Sequence, residues 1–351
     1  MVQREVSRPD SILEAWGARW NKKLGDEVVY DPDAEILSPN PIPLELPALD
    51  IVLGGGIPRG RTTIVYGNEG CGKTLLSQLI IAAAQRQGGD ALFFDVERTY
   101  TRDWFRLTGV NTSADRLQIV RPANLEQAFD MADDALRTIQ PAVIVIDSCA
   151  AMVPKQMLEA SMEDKDFRGL GARKTTEGIK KLTASNKTTA LVVINQVRVD
   201  MGKTFGNPET MPGGKALRFA SSLTLLIRRG TWLTDKSEEL DLEELDLDFT
   251  AVDTRRDAKY VGFLLWLRTE KNKQAVGYQD CQIKFFFNRT VDPTSALVDL
   301  ALRRGVIEEV GKGYFLVPGI EKKFHGARNV EKLLKKDRGL ANEVARLVRE
   351  G

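Results

Sequence analysis

The chain has 351 residues, 42% of them hydrophobic and 28% charged, with 50 Lys and Arg against 49 Asp and Glu. That length holds one large α/β domain plus a smaller appendage, and a net charge of +1 gives no global pull toward nucleic acid or membrane, so polyanion binding must come from local basic patches. Cys71, Cys149 and Cys281 are too few and too scattered for a disulfide framework. The charged N-terminus lacks the apolar core of a signal peptide, and no apolar run approaches the ~20 residues of a membrane helix, so a soluble cytoplasmic protein with no membrane partner is expected.

In chain order, Ile12, Leu13, Trp16 and Trp20 recur at helical spacing over residues 10–24, with Asp10 or Ser11 as cap. Pro32, Pro39, Pro41, Pro43 and Pro47 then mark an extended linker. The pattern leaves open whether residues 1–45 are a strapped-down terminus or an arm that docks on another subunit. From residue 60, strand-like runs (62–66, 91–95, 117–120, 142–147, 189–195, 223–228) alternate with helix-like ones (73–87, 125–138, 170–185), which predicts parallel βαβ units. The pattern breaks over about 232–260, where Asp235, Glu238, Glu239, Asp241, Glu243, Glu244, Asp246 and Asp248 form a solvated acidic insertion. Strands resume at 262–268 and 281–287. The cap-and-proline pair Asp292–Pro293 opens a helix over 294–304, followed by a hairpin over 306–317 and two short basic helices. The division expected is 1–45, a core over 46–289, and a small C-terminal domain over 290–351.

Gly67-Asn68-Glu69-Gly70-Cys71-Gly72-Lys73-Thr74 fits the pattern G-x-x-x-x-G-K-[ST]. Glycines let the backbone curl until its N–H groups face phosphate oxygens, Lys73 adds a positive charge, and the Thr74 hydroxyl suits Mg²⁺. Asp147 ends the apolar run 143–146; it is either a cap for the next element or a second support for Mg²⁺. Glu97 and Gln196 also follow strand-like runs, and ligands in open α/β sheets gather at the carboxyl ends of strands. Glu97 is a candidate for orienting and deprotonating water, with Asp95 competing. The stretch from Gln196 to Lys215 has little apolar periodicity. It mixes glycines with Arg198, Lys203, Lys215, Met201 and Phe205, and reads either as a surface loop or as a nucleic-acid contact.

These residues, in this order, resemble the bacterial RecA recombinase family. The matching stretches include Leu49-Asp50-Ile51, the Gly67 loop, Phe94-Asp95-Val96-Glu97, residues 143–148, Gly169-Leu170-Gly171-Ala172-Arg173, residues 194–198, Phe205-Gly206-Asn207-Pro208-Glu209-Thr210, Gly213-Gly214-Lys215-Ala216-Leu217 and Lys271-Asn272-Lys273. The resemblance covers roughly 45–350 apart from the acidic insertion. It implies an α/β fold: a RecA-like P-loop ATPase core with a mainly parallel central sheet, an N-terminal helical arm and a small C-terminal α/β domain. It further implies a DNA-dependent ATPase that forms helical filaments on single-stranded DNA and pairs it with homologous duplex DNA, using ATP and Mg²⁺. Under it Glu97 activates water and Gln196 senses the γ-phosphate. Lys271 and Lys273 reach the adjacent subunit's ATP; without the family they would be a solvated face. Arg173, Arg198, Met201, Lys203, Gly213, Gly214 and Lys215 fall in DNA-binding positions, and residues 157–168 match a first DNA loop with one extra residue. Residues 10–24 become a polymerisation arm. Phe219 matches an interface residue, against an ordinary core reading.

Some positions depart from the family. Cys71 stands where a small hydroxyl residue is usual; its backbone N–H suffices for the loop. Trp104 lies where an aromatic ring packs on adenine, but Thr101 stands where a base-recognising carboxylate is expected. Two alternatives share the same motifs: a regulatory RecA-like filament without strand exchange, and a ring-forming helicase or motor.

Overall fold

The computed structural model describes residues 11–25, 27–34, 37, 40–160, 167, 169–199, 209–210, 214–234, 252–253, 258–287 and 289–351. The acidic run 235–248 lies outside the described residues. Two compact units are present, Met1–Asn40 and Pro41–Gly351.

In the first unit, α1 (Ile12–Leu24) is capped by Ser11; Asp10 lies outside the described residues. Ser11 and Glu14 form a capping box: the Glu14 N–H donates to Ser11 Oγ at 3.1 Å and the Ser11 N–H to Glu14 Oε2 at 3.2 Å. Lys22 and Lys23 stand in the last turn, where the helix dipole favours cations. Asn21 then ties down the following chain, accepting from the Val28 and Val29 N–H groups and donating to the Val29 carbonyl. Ile12 and Leu13 stay 89% and 80% exposed, so the apolar stripe that makes the helix amphipathic is uncovered.

The second unit opens with α2 (Pro47–Leu53), β1 (Arg61–Gly67), α3 (Lys73–Arg86), β2 (Ala91–Asp95), α4 (Arg102–Leu107), β3 (Leu117–Val120), α5 (Leu125–Thr138) and β4 (Val143–Asp147). It continues with α6 (Lys155–Glu159), α7 (Leu170–Ser185), β5 (Ala190–Gln196), the short β6 (Arg198–Val199) and β7 (Glu209–Thr210), then α8 (Gly214–Ala220). Next come β8 (Leu223–Thr234), β9 (Val252–Asp253), β10 (Ala258–Asn272), β11 (Asp280–Phe286) and β12 (Arg289–Asp292). The C-terminal part holds α9 (Pro293–Arg303), β13 (Glu308–Gly311), β14 (Tyr314–Leu316), β15 (Phe324–His325), α10 (Ala327–Lys336) and α11 (Arg338–Glu350).

The main sheet runs β12-β11-β10-β8-β1-β5-β4-β2-β3, with β9 on β10. From β3 to β8 the pairs are parallel, and from β8 to β12 antiparallel. The model is therefore α/β with a largely parallel central sheet, plus a small three-stranded sheet of β13, β14 and β15. The parallel strands are buried on both faces: Val143 and Val145 join one apolar cluster, Ile144 and Ile146 the other. The first cluster also takes in Val330, Leu334, Val344 and Val348 from α10 and α11. Asp292 and Pro293 cap α9 as their order predicts, the Thr294 N–H donating to Asp292 Oδ1 at 3.0 Å. Among the described residues, no helix is long and apolar enough to cross a membrane.

Sequence and structure differ most around the acidic insertion. Strand β8 continues to Thr234 and β10 begins at Ala258, so both ends of the 232–260 segment lie in an antiparallel pair. Ladder hydrogen bonds sustain those residues as strand although 228–232 are exposed and give no alternating apolar signal.

Helices α5 and α7 touch at Gly178, where a Cβ would lie 2.4 Å from the Phe129 ring. Gly178→Ala is expected to destabilise the fold by about 1–3 kcal/mol through overpacking, less up to ~1 kcal/mol gained in helix propensity. Urea titration checks this; an unchanged or higher midpoint would contradict the contact.

Candidate nucleotide and DNA site

Parallel register assembles the site. Gly67 lies level with Gln196, and Asp95 with Asp147, so the carboxyl ends of β1, β5, β2 and β4 share one edge. Backbone bonds continue past the strands: the Glu97 N–H donates to the Asp147 carbonyl at 3.3 Å, and the Val197 N–H to the Gly67 carbonyl at 3.2 Å.

The loop from Gly67 to Thr74 turns through left-handed Gly70 (φ 65°) and Gly72 (φ 97°), conformations that suit glycine. Lys73 opens α3 and folds back over the loop, donating to the carbonyls of Gly67 at 3.1 Å and Asn68 at 2.7 Å. Glu69 and Gly70 are exposed at the rim, as is Asn68. Thr74 Oγ1 donates to Asp147 Oδ2 at 2.6 Å. Burial pushes the Asp147 carboxyl up to about 6; the Thr74 hydrogen bond opposes this and the Glu97 charge adds to it. One hydroxyl and one carboxylate beside a phosphate loop suit Mg²⁺, which takes phosphate and water oxygens for most of its octahedral positions. Among the described residues, no cluster of three or more His, Cys, Asp or Glu could hold a metal unaided.

Glu97 Oε1 accepts from the Ser148 hydroxyl and from Gln196 Nε2, the latter at 3.1 Å. Asp95, its competitor, is 1% exposed and fully engaged. It accepts from the Thr99 and Tyr100 N–H groups and, at 2.9 and 2.7 Å, from Nε and Nη2 of Arg121. Arg98, with a φ of 58°, turns the chain so that those N–H groups point back at Asp95. Geometry thus gives Asp95 a structural task and leaves Glu97 bonded to Gln196, which lies level with Gly67. Sequence reasoning missed Ser148 and Arg121. The position of Ser148 directly after Asp147 at a strand end was the available signal for the first; Arg121 carried none.

The RecA N-terminal domain model matches residues 13–292. The chain belongs to the RecA family. Protein RecA of Thermus thermophilus is 37% identical over 276 residues, 78% of this chain and 74% of the relative. Protein RecA of Chlorobaculum tepidum is 36% identical over 344 residues (97% and 90%), and that of Saccharopolyspora erythraea 34% over 351 residues (98% and 94%).

The remaining RecA-family positions divide into those near this edge and those away from it. Trp104, on α4, is 37% exposed and packs edge-on against Phe285 with centroids 6.1 Å apart. Phe285 in turn packs on Phe263, whose ring lies 3.9 Å from the Cβ position of Gly72, so an aromatic relay joins Trp104 to the loop. Arg173 is exposed in the first turns of α7. Gln196 leads directly into β6, which pairs with β7 as a two-stranded ribbon, and Gly214 opens α8. The sequence reading expected no regular structure there; a ribbon of two residue pairs is too short to leave a periodic trace. Met201, Lys203 and Gly213 lie outside the described residues, as do the side chains of Arg198 and Lys215.

Lys271 and Lys273 do not join the crevice of their own chain. Lys271 pairs with Thr224, which is level with Ile64, three residues before Gly67 and toward the opposite end of β1. At about 3.3 Å per residue, that places it ~10 Å below the loop and across β8. Its ammonium instead caps α8, donating to the carbonyls of Arg218, Phe219 and Ser221. Phe219, beside it, is 75% exposed, which rules out the core reading within this chain.

All three thiols are buried, and burial pushes Cys149 and Cys281 up to about 12 and raises Cys71 as well. Iodoacetamide at pH 8 is expected to leave the native protein unmodified and to label three cysteines after denaturation. Mass spectrometry checks this, and rapid native labelling at Cys71 would mean that the loop opens.

Proposed function

We propose that the chain is an ATP-dependent homologous recombination protein that forms filaments on single-stranded DNA and promotes pairing and strand exchange with homologous duplex DNA. Hydrolysis of ATP is DNA-dependent. The observation that carries this reading is the Gln196–Glu97 hydrogen bond. It ties the residue assigned to the reacting water to the start of the segment whose sequence holds Arg198, Met201, Lys203, Gly213, Gly214 and Lys215.

ATP lies on the Gly67 loop with its base toward Trp104. Lys73 leaves the Gly67 and Asn68 carbonyls for the phosphates, a stronger partner for an ammonium than neutral carbonyls. Thr74 and Asp147 would hold Mg²⁺, which would supply neutralisation of phosphate charge there. Glu97 orients the attacking water and takes its proton on Oε2, which has no donor among the described residues. Gln196 exchanges Glu97 for the γ-phosphate, and the segment it leads moves with it, a nucleotide-driven switch. Lys271 and Lys273 serve the neighbouring subunit's ATP, consistent with their distance from their own loop. The exposed Ile12, Leu13 and Trp16 of α1 suit an arm that docks on the next subunit, and residues 290–351 act as the C-terminal domain, packed on the core. The protein works in the cytoplasm.

Electron microscopy with single-stranded DNA and a slowly hydrolysed ATP analogue should show helical filaments, and a strand-exchange assay should give joint molecules. Closed rings, or filaments without exchange, would sink the proposal. Glu97→Gln should lower DNA-stimulated hydrolysis by about 10²–10⁴-fold while ATP still binds. Arg198→Ala with Lys215→Ala should weaken single-stranded DNA binding and flatten the log–log salt slope by about 1.4. An unchanged slope would remove those side chains from the DNA contact.

A further inference from the structure

At α8 and the end of β10, a cavity of about 270 Å³ is lined by Arg218, Phe219, Glu270 and Lys271, and Lys273 follows just past the strand, close enough for its charge to act on Lys271. Burial, then the charges of Lys273 and Arg218, hold the Lys271 ammonium below the usual lysine range. Like charges this close spread apart unless something fixes them.

Glu270 fixes Arg218, while the Arg218, Phe219 and Ser221 carbonyls hold Lys271. The β8–β10 ladder pairs Thr269 with Leu225 and Lys271 with Thr224, and the register shifts between the two, so Glu270 is the extra residue of a bulge. A bulge re-aims a side chain that regular pleating would send elsewhere. Here Glu270 Oε2 accepts from the Tyr66 hydroxyl and pairs with Arg218 Nη2 at 3.3 Å. The Glu270 side chain is 20% exposed, and Tyr66 immediately precedes Gly67. One carboxylate therefore joins the end of β1, the helix after the DNA-facing segment, and the lysine-bearing strand. Among the described residues it is the carboxylate paired with Arg218.

We propose that Glu270 is a positioning residue for the neighbouring subunit's ATP: by anchoring Arg218 and α8 to Tyr66, it holds Lys271 and Lys273 where they can be presented across the interface. This rests on the functional reading above. The anchor acts on the presenting face. Its loss therefore affects the next subunit's site and spares the chain's own, and a displacement near 1 Å at such a site costs on the order of 10²-fold or less.

A mixed filament tests this. A Glu97→Ala chain presents lysines but cannot hydrolyse; a chain with Lys271→Ala and Lys273→Ala hydrolyses only when its neighbour presents them. Mixed on single-stranded DNA, the two should restore hydrolysis at their junctions. Glu270→Val in the presenting chain should then lower the restored kcat about tenfold per DNA-bound protein, with KM for ATP unchanged. The same change in the hydrolysing chain should leave the rate within about twofold. Glu270→Gln in the presenting chain, which keeps an acceptor for Tyr66 but loses the charge toward Arg218, should fall between and serves if the valine variant folds poorly. No loss, or equal loss in either chain, overturns the positioning role. Failure of the mixture when the unmutated protein hydrolyses on DNA overturns the shared site and the inference with it. An unmutated protein without DNA-stimulated hydrolysis overturns the functional reading itself.

Discussion

The parallel register of four strands sets everything at the crevice. Once Gly67 is level with Gln196 and Asp95 with Asp147, the polar groups just past those strand ends converge with little freedom to do otherwise. The hydrogen bonds from Glu97 and Val197 to carbonyls on the facing strands extend this order beyond the sheet. The strand interiors are apolar on both faces, so a one-residue slip would send every side chain into the opposite apolar cluster and carry the strand-end polar groups out of line. The packing of both clusters supports the register that aligns the site.

Two buried carboxylates at that edge differ in how they are compensated. Asp95 has a forked guanidinium and two backbone donors, so its charge is satisfied within the protomer. Among the described residues Asp147 has a hydroxyl partner and no bonded cation, and burial lifts it to about 6. A buried charge left in that state is costly, and under the proposed function a cation arriving with the nucleotide would relieve it.

Much of this was legible in the sequence where the chemistry is local. The Gly67 loop needs only its own glycines, Ser11 was one of two adjacent cap candidates for α1, and Asp292–Pro293 announces α9 by itself. The strand-end rule already brought Glu97 and Gln196 to one crevice, 99 residues apart though they are, but Tyr66 and Glu270, 204 residues apart, meet across the sheet and were not legible. No spacing rule encodes such pairs. The extension of β8 and β10 was hidden for another reason, since exposed strand residues held by their ladder carry no burial pattern. The lysine pair drew attention only through the family resemblance, and its place away from its own loop became visible only in the register.

The separation of those lysines from their own phosphate loop has a stoichiometric consequence. If each complete site needs a loop from one protomer and a lysine pair from the next, an open filament of n protomers holds n − 1 complete sites. One terminal loop is always without lysines, and at the other terminus a lysine pair is always idle. The two ends are then chemically different, and the filament has a direction before any DNA polarity is considered. Short assemblies are penalised most, with half of the sites complete in a pair and nearly all in a long filament. Turnover per protomer therefore measures filament length.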